Sequence, residues 1–358
     1  MRPLVATVDL AAIRHNYALA KRCAPGRSAF AVVKADAYGH GAAKVVAALR
    51  DEVDGFAVCS VEEARVVREQ APQARLLLLE GCFDAEDCAA AMELGLDIAV
   101  QGAEQAQRLL DCAPARPLNV WLKLDSGMHR LGFEPDELQQ WARRLKDAPQ
   151  VAEVNLMTHF ACADEHMHAL TDRQLQSCQA VQEFAFDQRS FANSAAVLTL
   201  APAHMDWLRP GIMLYGASPF AERSAAELGL RPAMTLTAEV IAVHQVPTGD
   251  SVGYGATWVA QRPSRIGTVS CGYADGYPRH APSGTAVVIR GQRVPLVGRV
   301  SMDMLTVDLT DVPEASTGDA VELWGAQLPI DEVAQASGTI GYELLTKVTQ
   351  RVPRKYLG

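Results

Sequence analysis

No run of about 18 apolar residues occurs in the 358-residue chain, so a membrane-spanning helix is not expected. The N-terminal stretch also lacks the apolar core of a secretory signal, because Asp9 and Arg14 fall inside it. No CxxC pair links any of the eight cysteines, Cys23, Cys59, Cys82, Cys88, Cys112, Cys162, Cys178 and Cys271. That excludes the common zinc arrangements and a disulfide framework, and leaves reduced, mostly buried thiols in a cytoplasmic protein as the expectation. Positive charge is in short supply: 33 Lys and Arg stand against 42 Asp and Glu, a formal net charge of -9. A sequence-independent hold on nucleic acid phosphates is therefore not expected, and a small-molecule partner is. A low-complexity linker is absent too, which points to closely docked domains.

What is present suits a globular chain. Hydrophobic residues make up 49% and charged residues 21%, enough apolar material for a core and too much for a disordered chain. The length suggests two units. Short apolar, β-branched runs alternate with helical-period stretches from residue 27 to about 216, the pattern of βα units and a parallel sheet. Eight strands are expected at 28–34, 55–60, 75–80, 97–101, 119–125, 153–160, 189–193 and 207–215, with helical stretches at 61–70, 84–94, 104–112, 135–146 and 171–186. Eight such units predict a TIM-type (β/α)8 barrel. Ahead of it, Asp9 can cap a helix through Leu10, Ile13, Tyr17 and Ala20, ending near Gly26, that closes the barrel or packs beneath it.

After Gly229 the pattern changes to antiparallel strands at 234–243, 265–271, 285–290, 293–297, 304–309 and 320–324. Gly291-Gln292 reads as a type II′ hairpin turn. The expected division is an α/β barrel over residues 1–229 followed by a mainly antiparallel β domain over 230–358.

The C-terminal ends of barrel strands build the active site in this architecture. Lys34 ends the apolar run Ala29-Phe-Ala-Val-Val, where partial desolvation lowers an amine's pKa toward nucleophilic or Schiff-base use. The plainer alternative is a lysine whose head reaches solvent. The following Ala35-Asp-Ala-Tyr38-Gly-His-Gly41 is glycine-punctuated and opens onto a helix, so a tyrosine hydroxyl and backbone amides can meet an anion. Across the barrel, Asn193-Ser194 ends strand seven and Arg209-Pro-Gly211-Ile212 lies in strand eight, where TIM barrels often hold phosphate. A reactive lysine with a phosphate cradle suggests pyridoxal 5'-phosphate. His159, Cys162, Asp164, Glu165, His166 and His168 crowd into ten residues, but without His-x3-His or CxxC spacing they are read as solvated loop residues, and no metal is expected.

Ala31-Val-Val-Lys34-Ala-Asp-Ala-Tyr38-Gly-His-Gly41 resembles the cofactor-lysine motif of the alanine racemases. Further landmarks follow in order: Lys123-Leu-Asp-Ser-Gly-Met-His-Arg130, Thr158-His159, Asn193-Ser194, Arg209-Pro-Gly-Ile-Met-Leu-Tyr215, Val252-Gly-Tyr254-Gly, Gly272-Tyr273-Ala-Asp-Gly276, Gly298-Arg-Val-Ser-Met302-Asp303 and Arg351-Val-Pro-Arg354. The resemblance spans nearly the whole chain. It implies a pyridoxal phosphate barrel with a C-terminal β domain, a homodimer with shared active sites, and a two-base exchange of the α-proton between L- and D-alanine. Lys34 then carries the cofactor and is the base for the D-enantiomer. Tyr254 serves the L-enantiomer beside His159.

By the same resemblance Tyr38, Asn193, Ser194, Gly211 and Ile212 bind the cofactor. Arg209 faces its ring nitrogen, and being reluctant to give up a proton it keeps the electron sink weak, which favours racemisation over decarboxylation. Arg130 reaches the cofactor's phenolic oxygen and the substrate carboxylate, which Met302 and Tyr273 also approach. Lys123 matches a lysine that is carbamylated in some members.

Two positions depart from the family pattern. Ser301 stands where some members have cysteine, and Gln350 where many have a tyrosine that narrows the substrate entrance. The second departure raises a racemase of broader specificity, for serine or another small amino acid, as the alternative. A fold-related decarboxylase is disfavoured by Arg209, and a non-catalytic pyridoxal phosphate carrier by Tyr254 in its β domain. The same chemistry serves cell-wall precursor supply and alanine catabolism.

Overall fold

Parallel pairing of the apolar runs dominates the first part of the chain. The computed structural model describes residues 2–112, 116–181 and 184–358, and contacts divide the chain into two units. The first comprises Arg14–Ala37 and Gly41–Leu214. Its eight strands are Ser28–Val32, Gly55–Val58, Arg75–Leu78, Asp97–Val100, Leu118–Lys123, Val151–Met157, Arg189–Ser190 and Trp207–Leu208. Each pairs in parallel with the next as far as Arg189–Ser190, and Trp207–Leu208 returns to pair with Ser28–Val32. The result is the near-closed barrel expected from periodicity.

The last two strands are shorter than expected. Val32 N still donates to Pro210 O at 3.1 Å, but Pro210 has no amide to donate and a 3-10 turn follows through Ile212–Tyr215, so the pairing ends there. The seam between the seventh and eighth strands is closed by single bonds, Ser190 Oγ to Trp207 O at 2.8 Å and Arg209 N to Ala192 O at 2.9 Å.

Helices cap as their sequences predict. Ser60 Oγ accepts from Glu63 N ahead of Val61–Gln70, and Asp84 accepts from Asp87 N ahead of Ala85–Leu94. The helical stretch expected at 171–186 is the helix Ala169–Ala180, and residues 182–183 of that expectation lie outside the described residues. Helix Leu10–Cys23 starts at Asp9, whose carboxylate accepts from Ala12 N at 3.0 Å. Its Tyr17 hydroxyl bonds Ala29 O and Asp54 N, both at 3.1 Å, so it braces the first barrel strand from beneath.

Low in the barrel, Trp121 and Phe30 are fully buried, Phe30 stacks on Trp207 at 4.0 Å, and the Arg75 guanidinium lies 4.8 Å from the Trp207 ring. Asp97 is the hub of this layer. It accepts from Arg75 Nε at 2.8 Å, Trp121 Nε1 at 2.9 Å and Asn119 Nδ2 at 3.0 Å.

The second unit comprises Met1–Ile13, Tyr38–His40 and Tyr215–Gly358. Its sheet runs Gln292–Pro295, Ala286–Ile289, Ala320–Trp324, Met234–Val246, Leu4–Asp9, Arg354–Leu357, with Ser264–Val269 joining Met234–Val246 to Leu305–Asp308. All pairs are antiparallel except Leu4–Asp9 with Arg354–Leu357. The expected boundary at 229/230 therefore differs from the division by contacts. Leu4–Asp9 pairs with Met234–Val246, which places the first residues with the antiparallel sheet, and the return to this unit comes at Tyr215.

The hairpin turn is also corrected. Ile289 pairs with Gln292, so the central residues are Arg290 and Gly291, with φ of 52° and 75°. Two left-handed central residues make type I′, whose twist matches the strands, in place of type II′. Helices Ile330–Ala336 and Gly341–Lys347 were not anticipated. Among the described residues no helix is long and apolar enough to cross a membrane.

Asp97→Asn removes one of the two carboxylates that face Arg75, Glu153 remaining at 3.1 Å, and should cost about 2 kcal/mol. Urea unfolding followed by tryptophan fluorescence checks this, with Asn119→Ala expected to cost about 1 kcal/mol as the neutral comparison.

Candidate active site

The residues singled out by their position at strand ends gather at one mouth of the barrel. Lys34 follows Ser28–Val32 and is half-buried; Lys123 is the last residue of Leu118–Lys123 and is buried. His159 lies two residues past Val151–Met157, Asn193 and Ser194 follow Arg189–Ser190, and Arg209 directly follows Trp207–Leu208. Arg130 is exposed in the loop after the fifth strand. That loop is folded by Asp125, whose Oδ1 accepts from Gly127 N and His129 N, both at 3.0 Å. Gly132, at φ 128°, passes so close to Asp125 N that a Cβ would stand 2.6 Å from it.

Arg209 is 5% exposed. Its Nη1 donates to Ser190 O at 2.5 Å and Ser190 Oγ at 2.6 Å, and its Nη2 donates to Thr158 O and Phe191 O. Its partners are carbonyls and a hydroxyl, with no carboxylate among them. Burial pushes the guanidinium down to about 10, so it remains a cation near neutral pH.

Burial, then Arg209, Arg130 and Lys34, push Lys123 down to about 8, opposed only by Glu80. Burial and the same cations, Arg209, Lys123, Arg130 and Lys34, hold the His159 imidazole down to about 3, which makes it neutral. Four cationic side chains thus face one another. Glu80 was not singled out from sequence, although it ends the strand expected at 75–80 and the strand-end test would have found it. Cys59 is its neighbour, with its thiol pushed up to about 11, mainly by burial.

Ser194 Oγ accepts from Gly211 N at 2.8 Å and Met213 N at 3.4 Å, and Asn193 caps helix Ser194–Thr199 through Ala196 N at 3.1 Å. The Ser194 hydroxyl, the Gly211 amide and the start of helix Ser194–Thr199 therefore meet on the far side of the mouth. Four cationic side chains facing one nearby acid, Glu80, together with these dipoles, fit a phosphorylated anion.

The remaining expected residues lie in the second unit. Tyr38 belongs to an unanticipated left-handed turn, Ala35 to Tyr38 having φ of 52–53°. Its buried ring stacks on Tyr215 at 4.7 Å. Tyr254 is at the tip of the ribbon formed by Ser251–Val252 and Trp258–Val259, between Gly253 and Gly255 at φ 81° and 74°, and is 69% exposed. Tyr273 and Met302 come together because Tyr273 N donates to Ser301 O and Ala274 N to Met302 O, both at 3.0 Å. A Cβ on Gly272 would stand 2.4 Å from both carbonyls, so only glycine permits this approach.

Buried Asp275 anchors the arrangement, accepting from Arg2 at 2.6 and 2.7 Å and from Gly272 N at 2.9 Å. Arg351 bonds Asp303 at 2.6 Å and Thr349 N bonds Asp275 O at 3.1 Å, which brings exposed Gln350 beside the same loops. Ser301 Oγ donates to Met304 O at 2.6 Å. Of the loop residues after His159, Cys162, Glu165 and His168 bring possible ligand atoms within 4.8 Å, and His168 Nδ1 accepts from Leu170 N at 3.1 Å as a helix cap.

Residues 8–219 match the N-terminal domain of alanine racemase and residues 233–356 its C-terminal domain. The chain belongs to the alanine racemase family. An alanine racemase of Stutzerimonas stutzeri is 72% identical over 100% of both chains. The crystal structure of biosynthetic alanine racemase from Pseudomonas aeruginosa, 66% identical, matches 100% of both chains with a TM-score of 0.99. Alanine racemase from Bartonella henselae with covalently bound pyridoxal phosphate, 29% identical, covers 100% of both chains with a TM-score of 0.90.

Lys123 carries a pH prediction. Its folded pKa of about 8 is below its ordinary value of 10.5, so the folded state binds fewer protons than the unfolded state between those values. The stability penalty is full below pH 8 and fades as pH rises toward 10.5. In the cofactor-free protein, wild type should gain about 3 kcal/mol on Lys123→Met between pH 7 and 10.5. Urea titrations at the two pH values measure the difference; a gain on going the other way would contradict it.

Proposed function

We infer that this protein interconverts L- and D-alanine, with pyridoxal 5'-phosphate held on Lys34. The observation that carries the reading is that Lys34 and the buried cation Arg209 leave the ends of neighbouring barrel strands. The strands that present them, Trp207–Leu208 and Ser28–Val32, are paired neighbours, and the guanidinium is fixed by carbonyls and the Ser190 hydroxyl, with no carboxylate bonded to it. When bound, the cofactor supplies an electron sink that acidifies the substrate's Cα–H bond.

The protein's residues do the rest. Ser194, Asn193 and the backbone of Gly211 and Ile212 cradle the phosphate with Tyr38. Arg209 stays cationic and donates no proton readily, so the sink stays weak and proton return to Cα is favoured over decarboxylation or transamination. Arg130, Tyr273 and the Met302 amide orient the substrate carboxylate. Lys34 Nζ moves the proton on one face, and Tyr254 Oη, with neutral His159 as its neighbour, moves it on the other. Lys123, whose low pKa leaves part of it as free amine, takes up carbon dioxide to form a carbamate and releases one proton. The new negative charge then steadies Arg130.

Exposed Tyr254 and Met302, 69% and 53% accessible, support a homodimer in which each copy completes its partner's site. A cleft of about 490 Å³ beside Tyr254, lined by Thr268, Arg299 and Met304, supports the same reading. Eight free cysteines support a cytoplasmic location.

Circular dichroism of the protein with L-alanine and added pyridoxal phosphate should decay to zero as the racemate forms. Lys34→Ala should lose both the visible absorption band and activity, and a band that survives would overturn the assignment. Tyr254→Phe should keep the band while L-to-D turnover falls at least about 100-fold. Gln350 leaves the entrance wider than a tyrosine would. Gln350→Tyr should therefore lower kcat/KM for L-serine more than for L-alanine, and an unchanged ratio removes the idea.

A further inference from the structure

Glu63 is the third residue of helix Val61–Gln70 and stands three positions after the capping Ser60. In that Ser-x-x-Glu spacing the carboxylate ordinarily turns back to the amide of the capping serine. Here only the serine's half of the exchange is made, Ser60 Oγ accepting from Glu63 N at 3.4 Å. The Glu63 carboxylate goes to two strand ends instead. Its Oε2 accepts from Cys59 N at 2.9 Å and its Oε1 from Ala35 N at 2.6 Å. Ala35 directly follows Lys34, and Cys59 directly follows Gly55–Val58.

The backbone explains why these two amides are free to take a side chain. Strands Ser28–Val32 and Gly55–Val58 pair in parallel with Val32 opposite Ala57, and Val33 N still donates to Ala57 O at 2.9 Å. If the ladder continued, Cys59 N would donate to the Val33 carbonyl and Ala35 N to the Cys59 carbonyl. The chain turns left-handed at Ala35, Asp36 and Ala37 instead, and Ala37 N takes the Val33 carbonyl at 2.9 Å. Both amides lose their ladder partners, and one carboxylate accepts from both. Its two oxygens can do so at once, and bonds to a charged acceptor are the stronger kind. A glutamine would offer one acceptor oxygen and turn its own N–H groups toward the other amide.

We propose that Glu63 is a positioning residue for proton transfer by Lys34. The proposal rests on the reading above, in which Lys34 holds the cofactor and takes the α-proton of D-alanine while Tyr254 takes that of L-alanine. Glu63 bonds backbone amides and acts only through them. By holding the Lys34–Ala35 peptide against Cys59, it fixes the direction in which the lysine side chain leaves the strand. A small error in that direction is costly, because proton transfer needs the donor and acceptor within hydrogen-bond reach. The clamp therefore governs the step that Lys34 performs and leaves the step of Tyr254 alone.

Two measurements on the full-length chain test this. In cofactor-free protein, hydrogen exchange resolved to single residues should show the Ala35 and Cys59 amides of Glu63→Ala exchanging at least about tenfold faster than in wild type. In the holoenzyme, kcat of Glu63→Ala should fall at least about tenfold, with KM changed less. The primary isotope effect should rise with α-deuterated D-alanine and fall with α-deuterated L-alanine, because the Lys34 step has become the slower one. General loosening of the fold would not split the two directions. Glu63→Gln, which keeps one acceptor oxygen, should lie between Glu63→Ala and wild type. Glu62→Gln, the same charge change at the exposed neighbouring position, should match wild type throughout. Isotope effects of Glu63→Ala equal to those of wild type in both directions would overturn the proposal, as would wild-type protection of its Ala35 amide. A wild type that gains no visible band with pyridoxal phosphate would overturn the Lys34 assignment and the proposal with it, while the exchange rates would still report the clamp.

Discussion

A buried guanidinium held by backbone carbonyls organises the barrel mouth. The seventh and eighth strands are two residues long each, so the carbonyls of Thr158, Ser190 and Phe191 at that seam are available to Arg209. A buried carbonyl without a donor is costly, and so is a buried cation without acceptors. Each satisfies the other here. Because no carboxylate is involved, the positive charge is undiminished, and its field reaches Lys123 and His159. The mouth is consequently an anion site with a neutral imidazole in it.

Local strain accompanies this arrangement. Four consecutive non-glycine residues after Lys34 adopt left-handed backbone, a conformation that costs roughly 1–2 kcal/mol per residue. Short bonds hold the turn: Ala35 N donates to Glu63 Oε1 at 2.6 Å and Ala42 N to Asp36 Oδ1 at 2.7 Å. The turn reverses the chain at once after Lys34, which keeps the lysine at the strand end instead of in a loop. In the antiparallel unit, Asp275 plays a comparable part. Its bonds to Arg2 and to Gly272 N hold together loops that are far apart in sequence, and Tyr273 and Met302 ride on them.

Much of this was legible in the sequence, and the shortfalls have definite causes. All eight barrel strands fall where periodicity placed them, because a parallel sheet covered on both faces requires continuous apolar runs. Their ends were overrun where Pro210 and Gly211 halt a ladder that hydrophobicity alone would continue. Leu4–Asp9 was passed over as a strand because its partners, Met234–Val246 and Arg354–Leu357, are hundreds of residues away. The hairpin at Arg290-Gly291 was misread because glycine marks a turn without fixing which residue precedes it. Glu80 escaped notice because its effect is a field on Lys123, and nothing in its neighbours along the chain signals that.

The sequence by itself determined the alternation of elements, the barrel and β-sheet classes, and the placing of Lys34, Lys123, His159 and Arg209 at strand ends. These follow from local periodicity and from the rule that strand ends line the mouth. Tertiary structure alone decided which carbonyls Arg209 binds, that His159 is neutral and Lys123 lowered, and that Gln350 lies beside the loops of Tyr273 and Met302. Those properties depend on burial and on neighbours distant in sequence, and a field or a contact of that kind leaves no periodic mark along the chain.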